Sequence, residues 1–148
     1  MADQRLKGQE ISIRIVEDGV VVDQIDSIST FNDEVKRELK EAGYLGEVTN
    51  RFDEILNGYG GSYEFHTRAA AWIRFDQAIN DRATRVRPNL VINVIRTDLY
   101  PNGDSIIYTY QDVFFASTTG SIGSRGDYAK VAQSFGCSER PIQINQLP

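Results

Sequence analysis

The sequence predicts a mainly β protein with a single helix. Three observations carry that prediction. Ile11, Ile13 and Ile15 alternate with Ser12 and Arg14, the period of a half-buried strand. Residues 90–97 and 105–115 are dense in Val, Ile, Tyr and Phe, the residue types that fit a pleated surface. Only residues 67–85 carry apolar side chains at helical spacing.

After the first strand, Asp18-Gly19 marks a hairpin turn, because Gly adopts positive φ at little cost. Val20, Val21 and Val22 begin a return strand that is expected to run through Ile25 and Ile28 toward Phe31. Residues 32–47 read two ways. As a surface helix, Asn32 would cap it, Asp33–Arg37 and Arg37–Glu41 would pair at i,i+4, and Gly43 would end it. As an extended arm, Val35, Arg37 and Leu39 share one face, and Glu34, Lys36 and Glu38 the other. Either way, so charged a segment is exposed in an isolated subunit.

Residues 48–56 read as a strand, with Val48, Phe52 and Leu56 on one side. Asn57-Gly58-Tyr59-Gly60-Gly61 is expected to turn the chain, and residues 62–66 to return with Tyr63 and Phe65 on the apolar face. Thr67 is the expected N-cap of the helix. Its stripe is Trp72, Phe75, Ile79, Ala83 and Val86, with Arg68, Arg74, Asp76, Asn80, Asp81 and Arg82 filling most of the rest. Arg87-Pro88 marks its end. Beyond the 90–97 strand, Pro101-Asn102-Gly103-Asp104 predicts a turn and residues 105–115 one strand. Residues 117–126 read as a loop, residues 128–135 as the last long strand, and residues 142–144 as a short one.

Composition narrows the function classes. A single domain spanning 148 residues should bury roughly two-thirds of its unfolded surface, so it needs no staple. A net charge of −5 argues against a nucleic-acid binder, which usually shows a basic footprint. Cys137, alone, has no internal disulfide partner and reads as a small, half-buried strand residue. The polar start and the lack of an apolar run near ~18 residues predict no membrane insertion and a cytoplasmic site of assembly.

No catalytic constellation emerges, and the expectation is no enzyme, no cofactor and no metal. His66, the sole histidine, lies in a predicted strand with no nucleophile elbow beside it. One Cys and one His cannot build the usual zinc site. Asp53 and Glu54 are adjacent strand residues and point to opposite faces. The run from Gly120 to Gly126 lacks the lysine of a phosphate loop and leads into a strand, not a helix. Lys36, Arg37 and Lys40 interleave with Glu34, Glu38 and Glu41, a mixture suited to subunit contacts.

The order of elements resembles the tail tube proteins of bacteriophages, most of all those of contractile tails. The likeness spans residues 8–144. It comprises a hairpin at Asp18-Gly19, a charged arm ending in Gly43-Tyr44-Leu45-Gly46-Glu47, and the strand Gly61-Ser62-Tyr63-Glu64-Phe65-His66 leading to the lone helix. A long hairpin and a terminal strand follow.

The resemblance implies two packed antiparallel β-sheets, or a partly closed β-barrel, with one flanking α-helix at about 68–85. It implies a tail-tube-like domain over 1–148 with an inter-subunit arm, extended rather than helical, at about 32–47. The type VI secretion tube protein shares this fold. Six copies would close into a ring, and rings would stack into a hollow conduit. The partners implied are other copies, a tail sheath, a baseplate or tube initiator, a tape-measure protein, and DNA that crosses the lumen unbound. The location implied is the virion tail.

Candidate subunit contacts are Glu34, Lys36, Arg37, Glu38, Lys40, Tyr44, Leu45, Glu47 and Arg125; candidate lumen residues are Asp53, Glu64 and Asp112. Removing residues 33–42 is expected to leave a folded subunit that no longer polymerises. Two rivals remain. One is a baseplate hub, tube initiator or secretion tube of the same fold. The other is a monomeric β-barrel whose Tyr108, Tyr110, Phe114 and Phe115 line a ligand pocket.

Overall fold

The computed structural model describes residues 5–22, 28–67, 70 and 72–146. After a short 3-10 turn at Gly8–Glu10 come β1 (Ile11–Glu17), β2 (Val20–Val21), β3 (Ile28–Ala42) and β4 (Arg51–His66). The helix α1 (Trp72–Ala83) is followed by β5 (Ile92–Leu99), β6 (Ser105–Tyr110), β7 (Phe114–Ser121), β8 (Lys130–Cys137) and β9 (Ile142–Asn145). The strands form a five-stranded sheet, β2-β1-β5-β6-β9, and a four-stranded sheet, β3-β4-β8-β7. Every pairing between these strands is antiparallel. The two sheets pack face to face with one flanking helix, and no barrel closes.

The register shows why the sheets adhere. Ile15, Val94 and Tyr110 stand side by side on the inner face of the five-stranded sheet. Phe31, Tyr63 and Gln133 do so on the four-stranded sheet, and Phe65 sits beside Val131. Rings of Tyr110 and Phe135 meet edge-on at 5.3 Å and join the two layers. The helix lies on the inner side of the four-stranded sheet, where Trp72 meets Phe65 and Phe75 meets Phe115. Asp76 joins this contact through Thr118 and Gln133, whose amide oxygen accepts a hydrogen bond from Tyr63.

Several expectations hold. Asp18-Gly19 turns with both residues at positive φ, and Gly103 turns at φ +95. Cys137 is half-buried at the end of β8. The short strand at 142–144 is β9. Residues 32–42 are extended and belong to β3.

Other expectations are corrected. The return strand is not one strand: β2 and β3 belong to different sheets, and Ile25 lies outside the described residues. The glycine run at 57–61 is no turn, because β4 passes straight through it. Its glycines serve close approach instead. A Cβ on Gly61 would stand 2.7 Å from the Asn32 carbonyl oxygen and 2.8 Å from the Phe135 ring. Gly58, at φ +131, sits beside the bulge where Asn57 drops out of register. Arg51, not Val48, begins the strand, and Val48 belongs to the loop before it.

Residues 105–115 likewise divide into β6 and β7, which lie in different sheets. Asp112, at φ +47, makes the crossover between them. The loop expected at 117–126 begins later, because β7 continues to Ser121. In the helix, Phe75, Ala78, Ile79 and Arg82 are buried, whereas Ala83 and Val86 are exposed. Arg82 takes the inner position one turn beyond Ile79. The helix ends at Ala83 with Arg85 in the left-handed region, before the proline signal. The Thr67 N–H bonds the Ala129 carbonyl and prolongs the β4–β8 ladder; Arg68 and residues 69 and 71, which a cap there would serve, lie outside the described residues.

Candidate assembly interface

The long hairpin of β3 and β4 forms two parts of different character. Its lower half, residues 28–35 and 59–66, is sheet, with β4 paired to β8 from Tyr59 to His66. Its upper half, residues 36–42 and 51–58, pairs only with itself among the described residues, and an eight-residue loop, 43–50, closes the tip. We call this ribbon the arm; of the segment expected at 32–47, residues 32–35 belong to the sheet beneath it. An isolated two-stranded ribbon is marginal in water, so the arm depends on its root for placement.

That root is an ionic cluster between the sheets. Asp33, on the inner face of β3 opposite Gly61, accepts hydrogen bonds from Arg140 at 3.1 Å and from the Tyr110 hydroxyl at 3.2 Å. Arg96 stands 3.8 Å away and pairs bidentately with buried Asp98 at 2.8 and 3.0 Å. The Arg140 guanidinium lies over the rings of Tyr59 and Tyr108 at 4.8 and 5.2 Å. Burial works against the Arg96 charge, but Asp98 and Asp33 outweigh it and raise its pKa. Burial first, and Asp33 second, push the Tyr110 hydroxyl up to about 12. Charge pairing thus ties the arm's root to the opposite sheet. Sequence reading missed this cluster.

A second buried cation locks the helix. Arg82 donates to the carbonyls of Val113 at 2.7 Å and Leu90 at 3.3 Å, and covers the Phe114 ring. Burial lowers its pKa, while Asp112 works in the opposite direction.

The predicted contact residues divide among three places. Glu34, Lys36, Arg37, Glu38 and Lys40 lie exposed along β3. Tyr44, Leu45 and Glu47 occupy the arm's tip, where Arg51 pairs with Glu47 and stacks on Tyr44. Arg125 is exposed in the 122–129 loop, far along the chain from the arm.

Of the lumen candidates, Asp53 and Glu64 share the outward face of β4, opposite Lys40 and Thr30 respectively. Asp112 is on no strand, and its N–H bonds Asn93 at the crossover. That outward face is built largely of small and polar side chains, as in the row Asn32, Ser62, Ser134 and Ser117, with the exposed Phe114 beside Gly136 as an exception. Tyr108 and Tyr110 lie on one sheet and Phe114 and Phe115 on the other; Tyr110 is fully buried in the core. Phe114 and Phe115 line surface hollows that include neither Tyr108 nor Tyr110. His66 ends β4 opposite Lys130, with its ring against Tyr128.

No family model and no curated protein matches the chain. Solved structures do. A chain of the anti-feeding prophage baseplate superposes with a TM-score of 0.65 at 12% identity, over 97% of both chains. A chain in the tail of a gene transfer agent particle gives 0.62 at 11%, over 96% of this chain and 100% of that one. The SPP1 tail tube gives 0.56 at 16%, over 95% and 80%. The class is therefore the tail-tube-type fold, in which this chain matches tube and baseplate chains over nearly its whole length.

Proposed function

We propose that this chain is a structural subunit of a phage-type tail tube, in which six copies close into a ring and rings stack into a conduit for DNA delivery. The observation that carries this reading is the four-stranded sheet. Among the described residues, both its edges, β3 and β7, are unpaired in the single subunit, and its outward face is largely polar and uncovered. Unpaired edges invite pairing with another chain, and closing a ring of copies satisfies all of them at once. A small polar face without a basic patch suits a wall that DNA must cross without sticking. Asp53 and Glu64 lie on that face, and the arm reaches toward a neighbour.

The gene transfer agent tail and the prophage baseplate are both described with six-fold symmetry. That supports a ring of six. In this reading, the partners are other copies, a sheath, a baseplate initiator and a tape-measure protein. The location is the virion tail, assembled in the host cytoplasm. A second reading, a baseplate or tube-initiator ring of the same fold, is favoured by the baseplate match.

Negative-stain microscopy of the concentrated, purified protein separates these readings. Stacked rings or tubes are the expected result. Single rings that do not stack point to the initiator. A monodisperse monomer at every concentration, with and without baseplate components, overturns the proposal.

A further inference from the structure

The arm's two faces differ in chemistry, and the register says how. On the outward face, Lys36, Glu38 and Lys40 stand beside Gly58, Ile55 and Asp53. On the inward face, Arg37, Leu39 and Glu41 stand beside Leu56, Glu54 and Phe52. Leu39, Phe52 and Leu56 therefore form one apolar stripe, and they are 65%, 60% and 56% exposed. This is the same face that packs against the five-stranded sheet lower down, continued past the point where that sheet covers it. At the arm's root it opens into a hollow of about 260 Å³ lined by Val35, Arg37, Leu56, Tyr59 and Arg140.

We infer that this inward face, not the charged outward face, is the surface on which the arm seats a second copy of the chain. Three observations select a second copy. Leu39, Phe52 and Leu56 are each more than half exposed although they share one face, and a row of large apolar side chains left in water marks an interaction site. The arm is also continuous with β3, whose outer edge pairs with no other strand among the described residues. A copy pairing with that edge lies next to the stripe. Finally, Arg37, Glu41 and Glu54 edge the stripe with both signs of charge, which suits a mixed-charge surface such as this chain's own.

This inference rests on the arm being a contact between copies. It changes which residues make that contact: the charged set Lys36, Glu38 and Lys40 stays in water.

Sedimentation velocity of the full chain tests it, with two triple variants. Leu39→Ser/Phe52→Ser/Leu56→Ser should raise the concentration needed for self-association at least ~100-fold, since each buried apolar side chain is worth a factor of ten or more. Lys36→Ser/Glu38→Ser/Lys40→Ser should shift it by less than about threefold, as exposed ion pairs do. Raising salt from ~0.1 M to ~1 M should not dissociate the wild type. Both variants should keep the wild-type thermal transition, because the changed side chains are exposed in a single copy. The opposite pattern overturns the inference: the charge variant and high salt dissociate the assembly while the apolar variant assembles normally. If the wild type forms dimers but never rings, the tube reading falls and the docking face stands. A wild type that stays monomeric overturns both.

Discussion

Replacing Asp33 by Asn should loosen the arm's root at a measurable cost. The substitution keeps the side chain's size and removes its charge. Asp33 accepts from Arg140 at 3.1 Å and from Tyr110 at 3.2 Å, with Arg96 at 3.8 Å. Arg140 has its Nε buried without a partner and, among the described residues, pairs with no other carboxylate, whereas Arg96 keeps Asp98. Hydrogen bonds to charged groups contribute about 1.5–3 kcal/mol each, and breaking a fully buried pair costs about 3–5 kcal/mol. Asp33 is 33% exposed, which puts it toward the lower end. The expected loss is therefore about 2–3 kcal/mol, or a drop in Tm of about 5–10 °C for a chain of this length. Calorimetry and urea titration both read it. If D33N loses less than ~0.5 kcal/mol, the cluster is not what fixes the arm, and the argument from its geometry fails.

Three further outcomes are expected. Gly61→Ala forces a methyl against the Asn32 carbonyl and the Phe135 ring, and should cost about 1–3 kcal/mol in urea denaturation although it lies in a strand. A neutral effect would show that β3 and β4 have room to part. Tyr110 has a folded pKa of about 12, above its ordinary value of 10.0. Its contribution to stability is full below that ordinary value and is lost as pH rises through about 12, so Tyr110→Phe should flatten the alkaline limb of a stability–pH curve. An unchanged limb would refute the assignment. Replacing residues 38–55 by a short Gly-Ser turn should preserve cooperative unfolding and abolish self-association. The cut must spare Asp33 and Val35, because removing residues 33–42 would take the arm's anchor with it.

Local signals were legible where one residue type has one local meaning. Asp18-Gly19 and Asn102-Gly103 are turns because positive φ is cheap there. Phe75 and Ile79 face the core because four residues make about one helical turn. The glycines at 58, 60 and 61 were misread because Gly signals both a turn and a close approach. Only the position of Phe135, more than seventy residues away, decides between them. The crossover at Asp112 carries no Gly or Pro, so β6 and β7 read as one strand. Arg82 was assigned to the polar face by its charge, but its stem fills the core and its guanidinium meets two carbonyls. The anchor was out of reach because Asp33 and Arg140 are 107 residues apart, and no periodicity links them.

Because β3 and β4 both run from arm into body, a load on the arm's tip enters the molecule along two covalent strands, β3 at the edge of the sheet and β4 inside it. The inner strand, β4, is laddered to β8 over eight consecutive residues, Tyr59 to His66. Pulling along its axis strains those rungs together, in shear, instead of peeling them apart one at a time. A neighbour that tugs on the arm therefore meets a stiff cantilever rather than a tether. The bulge at Asn57, where the ladder to β3 slips by one residue, is the first place such a lever would flex.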